Sequence, residues 1–404
     1  MAGSRRCQRR GARVIYLDHA ATTKTDPEVL AAMMPYLTQE FGNPSSVYQF
    51  AGRSRAALEN AREQVAALIN ADPREIVFTG GGSEADNLAI KGYAWAHQDK
   101  GRHIITSAIE HHAVLHACER LEKMGFEVTT LCVDQYGLVH PEQVAEAMRD
   151  DTILVTIMHG NNEVGTIQPV AEIGALCRER KVAFHSDAVQ TLGKLPINVK
   201  QLPVDMLAFS AHKIYGPKGV GVLYLRKGVR VWPLIDGGAQ ERQVRAGTEN
   251  VAGIVGMGKA CELAGQRMTE DNARIAELRD YLRDRLMAEI PYMLYTGHPE
   301  QRLPNIASFC IRYIEGESIL LMLDAEGICA SSGSACTSGS LDPSHCLLAM
   351  GLPHAIAHGS LRVSLGRENT REECDRVVEV LPPIVQRLRE MSPLYGDAAR
   401  QSET

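Results

Sequence analysis

Residues 153–185 run Ile153-Leu154-Val155-Thr156-Ile157-Met158, then Val170-Ala171-Glu172-Ile173-Gly174-Ala175-Leu176-Cys177-Arg178-Glu179-Arg180, then Val182-Ala183-Phe184-His185. The two outer runs are short, apolar and rich in β-branched residues, as strands buried on both faces are. The middle run places Val170, Ile173 and Cys177 on one helical face. Strand, helix, strand in this order is a βαβ unit, which needs a parallel sheet with helices packed against it. The same alternation extends outward through Ile76–Thr79, His103–Thr106, Val128–Leu131, Met206–Phe209 and Gly219–Leu225, with Glu142–Met148 as a further helical segment. An α/β fold with a mostly parallel sheet is the expectation. Helical period then dominates from about Val251 to Ile290, and short strands return at Ile306–Ile311, Ile328–Ser331 and Leu361–Ser364. This predicts a linker helix into a smaller α+β domain. The expected division is a basic, disordered start over 1–14, a large α/β domain over 15–250, the helix and small domain over 251–392, and a tail over 393–404.

Composition narrows the function. The 404 residues are 45% hydrophobic, ample for two cores, and carry a net charge of -6 with both signs dispersed. No basic face suited to phosphate backbones is visible, so nucleic acid is not an expected partner. The longest apolar runs fall far short of the roughly 20 residues that cross a bilayer, so no membrane association is expected. Ten cysteines without paired spacing suggest reduced thiols and a cytoplasmic protein. Arg5, Arg6, Arg9, Arg10 and Arg13 make the first residues basic, but they lack the apolar run of a signal peptide.

The chemistry-bearing residues fall at strand ends, where open α/β sheets bind ligands. Ser210-Ala211-His212-Lys213 closes one strand and precedes Gly216-Pro217-Lys218-Gly219. Lys213 reads either as a solvated loop lysine or as an amine desolvated enough for Schiff-base chemistry. Gly80-Gly81-Gly82-Ser83 follows another strand and opens a helical pattern, which is either a tight turn or a cup for an anion. It matches neither the P-loop nor the dinucleotide fingerprint. Asp187 ends a strand as a helix cap or as the partner of a buried cation, and His111 follows a strand as a core histidine or as a cover for a ring. Their coincidence at one sheet edge favours a site.

These residues lie within longer motifs: Tyr16-Leu17-Asp18-His19-Ala20-Ala21-Thr22-Thr23, Phe41-Gly42-Asn43-Pro44-Ser45-Ser46, His159-Gly160-Asn161-Asn162-Glu163, Arg245-Ala246-Gly247-Thr248-Glu249-Asn250 and Ser331-Ser332-Gly333-Ser334-Ala335-Cys336-Thr337-Ser338. In them the chain resembles the cysteine desulfurases of the class V, fold type I pyridoxal-phosphate family, most closely the NifS type, over nearly its whole length. The resemblance implies pyridoxal phosphate as cofactor and L-cysteine as substrate. It implies Lys213 as the lysine that holds the cofactor, with Gly82, Ser83, Ser210, Ala211 and His212 at cofactor-binding positions and Thr248 reaching the phosphate of the other subunit of a homodimer. Asp187 would pair with the pyridine nitrogen, Gln190 and Asn162 would bond around the ring hydroxyl, His111 would cover the ring and move protons, and Arg362 would take the substrate carboxylate. Asn162 also counts as substrate-binding. Cys336 would accept the sulfur as a persulfide and pass it to an iron–sulfur scaffold protein, where it could serve as a transient cluster ligand; no resident metal is expected.

Three positions depart from the family pattern: the run of glycines at 80–82, Ala211 in place of a frequent glycine, and Tyr48 in place of a frequent histidine. Pro233-Leu234 and Leu381-Pro382-Pro383-Ile384-Val385 resemble NifS-type sequences, and that resemblance implies nitrogenase-directed sulfur supply over an Isc-type housekeeping role. A selenocysteine lyase, a class V aminotransferase and a catalytically silent sulfur-relay partner are the other readings. Lys213, Asp187, Arg362 and Cys336 together argue against silence.

Overall fold

The structure, a computed structural model, describes residues 14–332, 342–393 and 395. Among the described residues, twelve strands form three sheets. Two-residue strands β1 (Ile15–Tyr16) and β11 (Ile328–Cys329) pair in parallel. The large sheet holds β2 (Ile76–Thr79), β3 (His103–Ser107), β4 (Glu127–Leu131), β5 (Thr152–Thr156), β6 (Ala183–Asp187), β7 (Met206–Ser210) and β8 (Gly221–Leu225) in the order β2-β8-β7-β6-β5-β3-β4. Only β8 runs against its neighbours. The third sheet is antiparallel, with β12 (Ser360–Ser364) and β9 (Met293–Tyr295) flanking β10 (Ile306–Ile311).

The expected strands are all present with small shifts at their ends, and β1 and β9 are additions. Ile157 and Met158, read as strand, lie beyond β5 and carry the chain toward the strand-end region. Gly219 adopts φ +79 and turns ahead of β8 instead of extending it. The strand expected over Ile328–Ser331 ends at Cys329, with Ser331 making a single bridge to Arg362.

Side chains alternate across the large sheet and fill two cores. Ile105, Val155, Phe184, Leu207, Phe209 and Val222 point to one face, while Ile104, Leu154, Ala183, Met206, Ala208 and Leu223 point to the other. The interior strands are buried throughout, whereas β4 at the edge is partly exposed. A further core surrounds β10 and β12 with Ala307, Phe309, Leu361 and Val363. One 39-residue helix, Val251–Glu289, joins the two regions. The Asn250 side chain accepts from Gly253 N–H and caps it. Its first half places Met257 and Cys261 in the core of the large sheet, and Ile275, Leu282 and Leu286 later enter the core around β10. A Cβ on Gly258 would lie 2.7 Å from Ala61 Cα, so glycine is what lets this helix approach the Gln49–Ile69 helix closely.

Candidate active site

The C-terminal ends of β2, β3, β5, β6 and β7 open on one cavity of about 300 Å³. Gly82, Ser83, His111, Asn162, Asp187, Gln190, Ser210, His212, Lys213 and Arg362 all line it. Sequence positions 82 to 362 thus meet at one place, as the strand-end argument requires.

Lys213 ends a short 3₁₀ turn, Ala211–Lys213, directly after β7. Its Nζ donates to the Ala20 and Ala21 carbonyls at 2.6 and 2.7 Å. The segment carrying those carbonyls is pinned across the turn: Thr23 N–H and Oγ1–H both donate to the His212 carbonyl, at 2.9 and 3.0 Å. Gly216 closes the turn against Ala211, where an added Cβ would lie 2.8 Å from the Ala211 carbonyl oxygen, so a side chain there would displace the lysine's support. Ala211 itself is fully buried in the core and does not line the cavity.

Gly82 begins the helix Gly82–Asn87, which continues through a π turn over Leu88–Gly92. Its missing Cβ leaves room for Val189, whose Cγ2 would otherwise stand 2.7 Å away. With Ser83 beside it and Ser210 and His212 also lining the cavity, this end is rich in donors suited to an anion. Burial pushes the His212 imidazolium down to about 4, so this ring is neutral near pH 7.

Asp187, 6% exposed, accepts from Val189 N–H at 2.9 Å through Oδ1. Burial outweighs that bond and pushes its carboxyl up to about 6. Gln190 donates through Nε2 to the Ala20 carbonyl at 2.9 Å, and its buried Oε1 has no partner among the described residues. His111 caps the helix His112–Glu122 by accepting from Ala113 N–H at Nδ1. The ring hydrogen therefore belongs on Nε2, and burial, aided by Lys213, pushes the imidazolium down to about 4. Arg362, in β12, is 3% exposed; its Nη1 donates to the Asn162 carbonyl at 2.9 Å, its Nη2 to Asp18 Oδ1 at 2.8 Å, and its Nε has no partner among the described residues.

Thr248 stands apart from this group, lining a separate cavity of about 150 Å³ with Thr79, Gly80, Glu241 and Arg245. Cys336 lies outside the described residues. Both anchors of the segment 333–341 are described, however: Ser331 exchanges backbone hydrogen bonds with Arg362, and the Ser344 hydroxyl donates to Glu163, the residue after Asn162. The neighbouring thiols are poor nucleophiles, since burial pushes Cys329 up and Cys346 well up. One grouping among the described residues, Glu163, His345 and Cys346, is close enough to hold an ion. His345 Nε2 there already faces the Glu110 carbonyl at 3.0 Å.

Sequence reasoning passed over Ala20, Ala21, Asp86, Met158, Gly160 and Val189, which also line the cavity. Asp86 is 1% exposed and its Oδ1 lies 3.5 Å from His185 Nε2. Burial holds its carboxyl well above the ordinary range, with Asp187 and Glu110 adding to the rise. Nothing in the local sequence distinguishes Asp86 from an ordinary helix acid.

The cavity suits pyridoxal phosphate: donors gather at Gly82, Ser83 and Ser210, a buried acid stands at Asp187, and Gln190 Oε1 and Arg362 Nε are buried without partners among the described residues. Without the cofactor, the raised Asp187 carboxyl costs stability. An acid whose folded pKa exceeds its ordinary 3.8 binds more protons when folded, so its contribution falls as pH rises from about 4 to about 6. In the cofactor-free chain, Asp187→Asn is expected to gain roughly 1–3 kcal/mol above pH 6 and to show little change near pH 4. Urea unfolding at the two pH values checks this, and a loss of stability above pH 6 contradicts it.

The aminotransferase class-V family profile matches residues 15–377. The chain is 57% identical over 382 residues to the cysteine desulfurase IscS of Methanosarcina thermophila, covering 95% of this chain and 94% of that one. It is 54% identical over 391 residues to the cysteine desulfurase IscS of Clostridium botulinum, covering 96% and 98%. A solved NifS-like protein superposes with a TM-score of 0.88 at 39% identity, covering 93% of this chain and 100% of that one. With this fold and this cavity, the chain belongs to the class-V aminotransferase family of pyridoxal-phosphate-dependent, fold type I enzymes, and within it to the cysteine desulfurases.

Proposed function

We propose that this enzyme takes free L-cysteine, releases L-alanine and keeps the sulfur as a persulfide on Cys336. The observation that carries the reading is the single cavity that gathers Lys213, Asp187, His111 and Arg362, with both anchors of the Cys336 segment tied to Arg362 and to Glu163. Pyridoxal phosphate, when bound, supplies the electron sink that labilises the substrate's bonds at Cα. Lys213 holds the cofactor and moves the Cα proton. Gly82, Ser83, Ser210 and His212 receive the phosphate, Asp187 pairs with the ring nitrogen, and Gln190 and Asn162 meet the ring hydroxyl. His111, neutral and bearing its hydrogen on Nε2, covers the ring. Arg362 takes the substrate carboxylate with the planar donor set suited to it. The Cys336 thiolate attacks the substrate sulfur, the S–S bond forms as the C–S bond breaks, and Cβ gains a proton to leave as alanine.

The partners follow from the same reading. Phe41, Val47, Tyr48 and Phe50 expose large apolar surface within ten residues, which suits a subunit contact. Thr248 lies away from the cavity of its own chain, which suits a reach into the partner of a homodimer. No helix among the described residues is long and apolar enough to cross a membrane, and a cytoplasmic enzyme is our reading. For the sulfur's destination, an iron–sulfur scaffold protein, the relatives named IscS favour the Isc-type supply over the nitrogenase-directed one. Cys336 could then bridge a nascent cluster in passing.

Mass spectrometry after treatment with L-cysteine tests the central step. Added sulfur is expected on Cys336, with alanine formed in equal amount. Cys329, Cys336 and Cys346 share the tryptic peptide 313–362, so fragment ions must assign the site. Sulfur confined to Cys329 or Cys346 would overturn the reading.

A further inference from the structure

The glycines at 80–82 and the stretch that ends in Thr248 are joined by a set of bonds that the binding roles above do not use. Glu84, in the first turn of the Gly82–Asn87 helix, accepts from Gly80 N–H at 2.8 Å through Oε2. The same carboxylate receives Arg245 on both oxygens, Nε to Oε1 at 2.8 Å and Nη2 to Oε2 at 3.3 Å. A Cβ added to Gly80 would stand 2.7 Å from Glu84 Oε2, so a side chain there would push the carboxylate from its seat. The first glycine of the run is therefore what lets Glu84 serve the cup and Arg245 together.

Two further anchors hold residues 240–248 against β2, the edge strand that leads into the cup. Glu241, 7% exposed, takes Arg62 in a bidentate pair at 2.9 Å on each oxygen and accepts from Phe78 N–H at 2.9 Å. Arg62 and Arg242 both donate to the Ile76 carbonyl, at 2.8 and 2.6 Å. Backbone groups on the open side of the edge strand are thus occupied by side chains of this stretch and of Arg62. Between the anchors Glu241, Arg242 and Gln243 take φ values of 44°, 57° and 67°, left-handed conformations that residues with side chains keep only where their surroundings fix them. Gly247 N–H donates to Gln240 Oε1 at 3.0 Å and closes the stretch on itself just before Thr248. It is a fixed strap, with Arg245 bearing on the cup of its own chain and Thr248 following directly.

We infer, on the reading of the chain as a homodimer in which Thr248 reaches the partner's phosphate, that Glu84 and Arg245 are positioning residues whose ion pair governs cofactor affinity at both sites of the dimer. A phosphate seated on Gly82 and Ser83 fixes the turn that carries Glu84, and through Arg245 fixes the strap that presents Thr248. Thr248 drawn onto the partner's phosphate in turn holds Arg245 on Glu84. Such a link acts equally in both directions, because it is a coupling free energy between two binding events.

Mixed dimers of the full chain, stripped of cofactor, test the link. One subunit keeps Lys213 and the other carries Lys213→Ala, so only the first can fix pyridoxal phosphate covalently. The concentration that half-fills Lys213 is read by borohydride reduction and peptide mapping. Arg245→Met is placed either in the subunit that keeps Lys213 or in its partner, and both placements are expected to raise that concentration at least about fivefold over the mixed dimer without it. A rise with the first placement alone makes the pair a support of its own cup, since a packing role has no reason to reach the partner's Lys213. A rise with the second alone makes Arg245 a support of Thr248 only. Either result overturns the inference, as does no rise at all. If Arg245→Met does not fold, Glu84→Gln takes both placements with the same outcomes, since it keeps an acceptor for Gly80 N–H and removes the carboxylate from Arg245. Thr248→Val in the Lys213→Ala subunit separates the failures. A rise there, with none from Arg245→Met in the same subunit, sinks the link alone; no rise from Thr248→Val, or a chain that runs as a monomer, sinks the reach to the partner as well. Capture at another lysine in the unaltered protein sinks the assignment of Lys213.

Discussion

With Cys336 replaced by serine, the enzyme is expected to keep its cofactor absorbance and its spectral response to L-cysteine while alanine production falls at least about a thousandfold. The division of labour in the cavity is the reason. In the proposed reading, Lys213, Asp187 and Arg362 serve cofactor and substrate binding, none of which needs the thiol. Accepting the sulfur does need it: a serine hydroxyl is scarcely ionised near neutral pH and is a poor nucleophile toward sulfur. Cys346 cannot stand in, because burial holds its thiol far from ionisation, and Cys346→Ala should leave turnover near normal. Alanine assay and absorbance titration with cysteine, run on both variants, decide the matter. Near-normal alanine from the serine variant would end the persulfide mechanism and favour an aminotransferase-like or lyase reaction.

Lys213→Ala is expected to abolish the covalently held cofactor and reduce turnover at least about a thousandfold, with the fold retained. Removing the amine leaves the Ala20 and Ala21 carbonyls without this donor, at a cost of about 1–3 kcal/mol against a typical total of about 5–15 kcal/mol. Circular dichroism and urea unfolding should therefore show a folded protein. Reduction with borohydride followed by peptide mapping should find no pyridoxyl-lysine. A modified peptide containing Lys218, which is exposed, or Lys194 would show that another amine anchors the cofactor.

The sequence alone was enough for most of the strands and for most of the cavity's lining, because those signals are local. Apolar runs such as Leu154-Val155 and Leu207-Ala208-Phe209 mark strands buried on both faces, and the helical stretch from Val251 follows from its uninterrupted periodicity. Lys213, Asp187, His111 and Gly82 were legible because each sits just past or at the end of such a run, where ligands bind. The tertiary structure decided what depends on distant partners. Periodicity carries no information on which strands pair, so the placement of β8 between β2 and β7 and the presence of β9 emerge only from the assembled sheets. Asp86, Ala20 and Ala21 acquire meaning only when the chain's first described residues cross the turn at Lys213, about 190 positions later. Lys194 in sequence is one more loop lysine. Its Nζ has no partner among the described residues once the segments carrying His19, Asn305 and Arg367 close around it, since desolvation is a property of the packed surroundings and not of the residue.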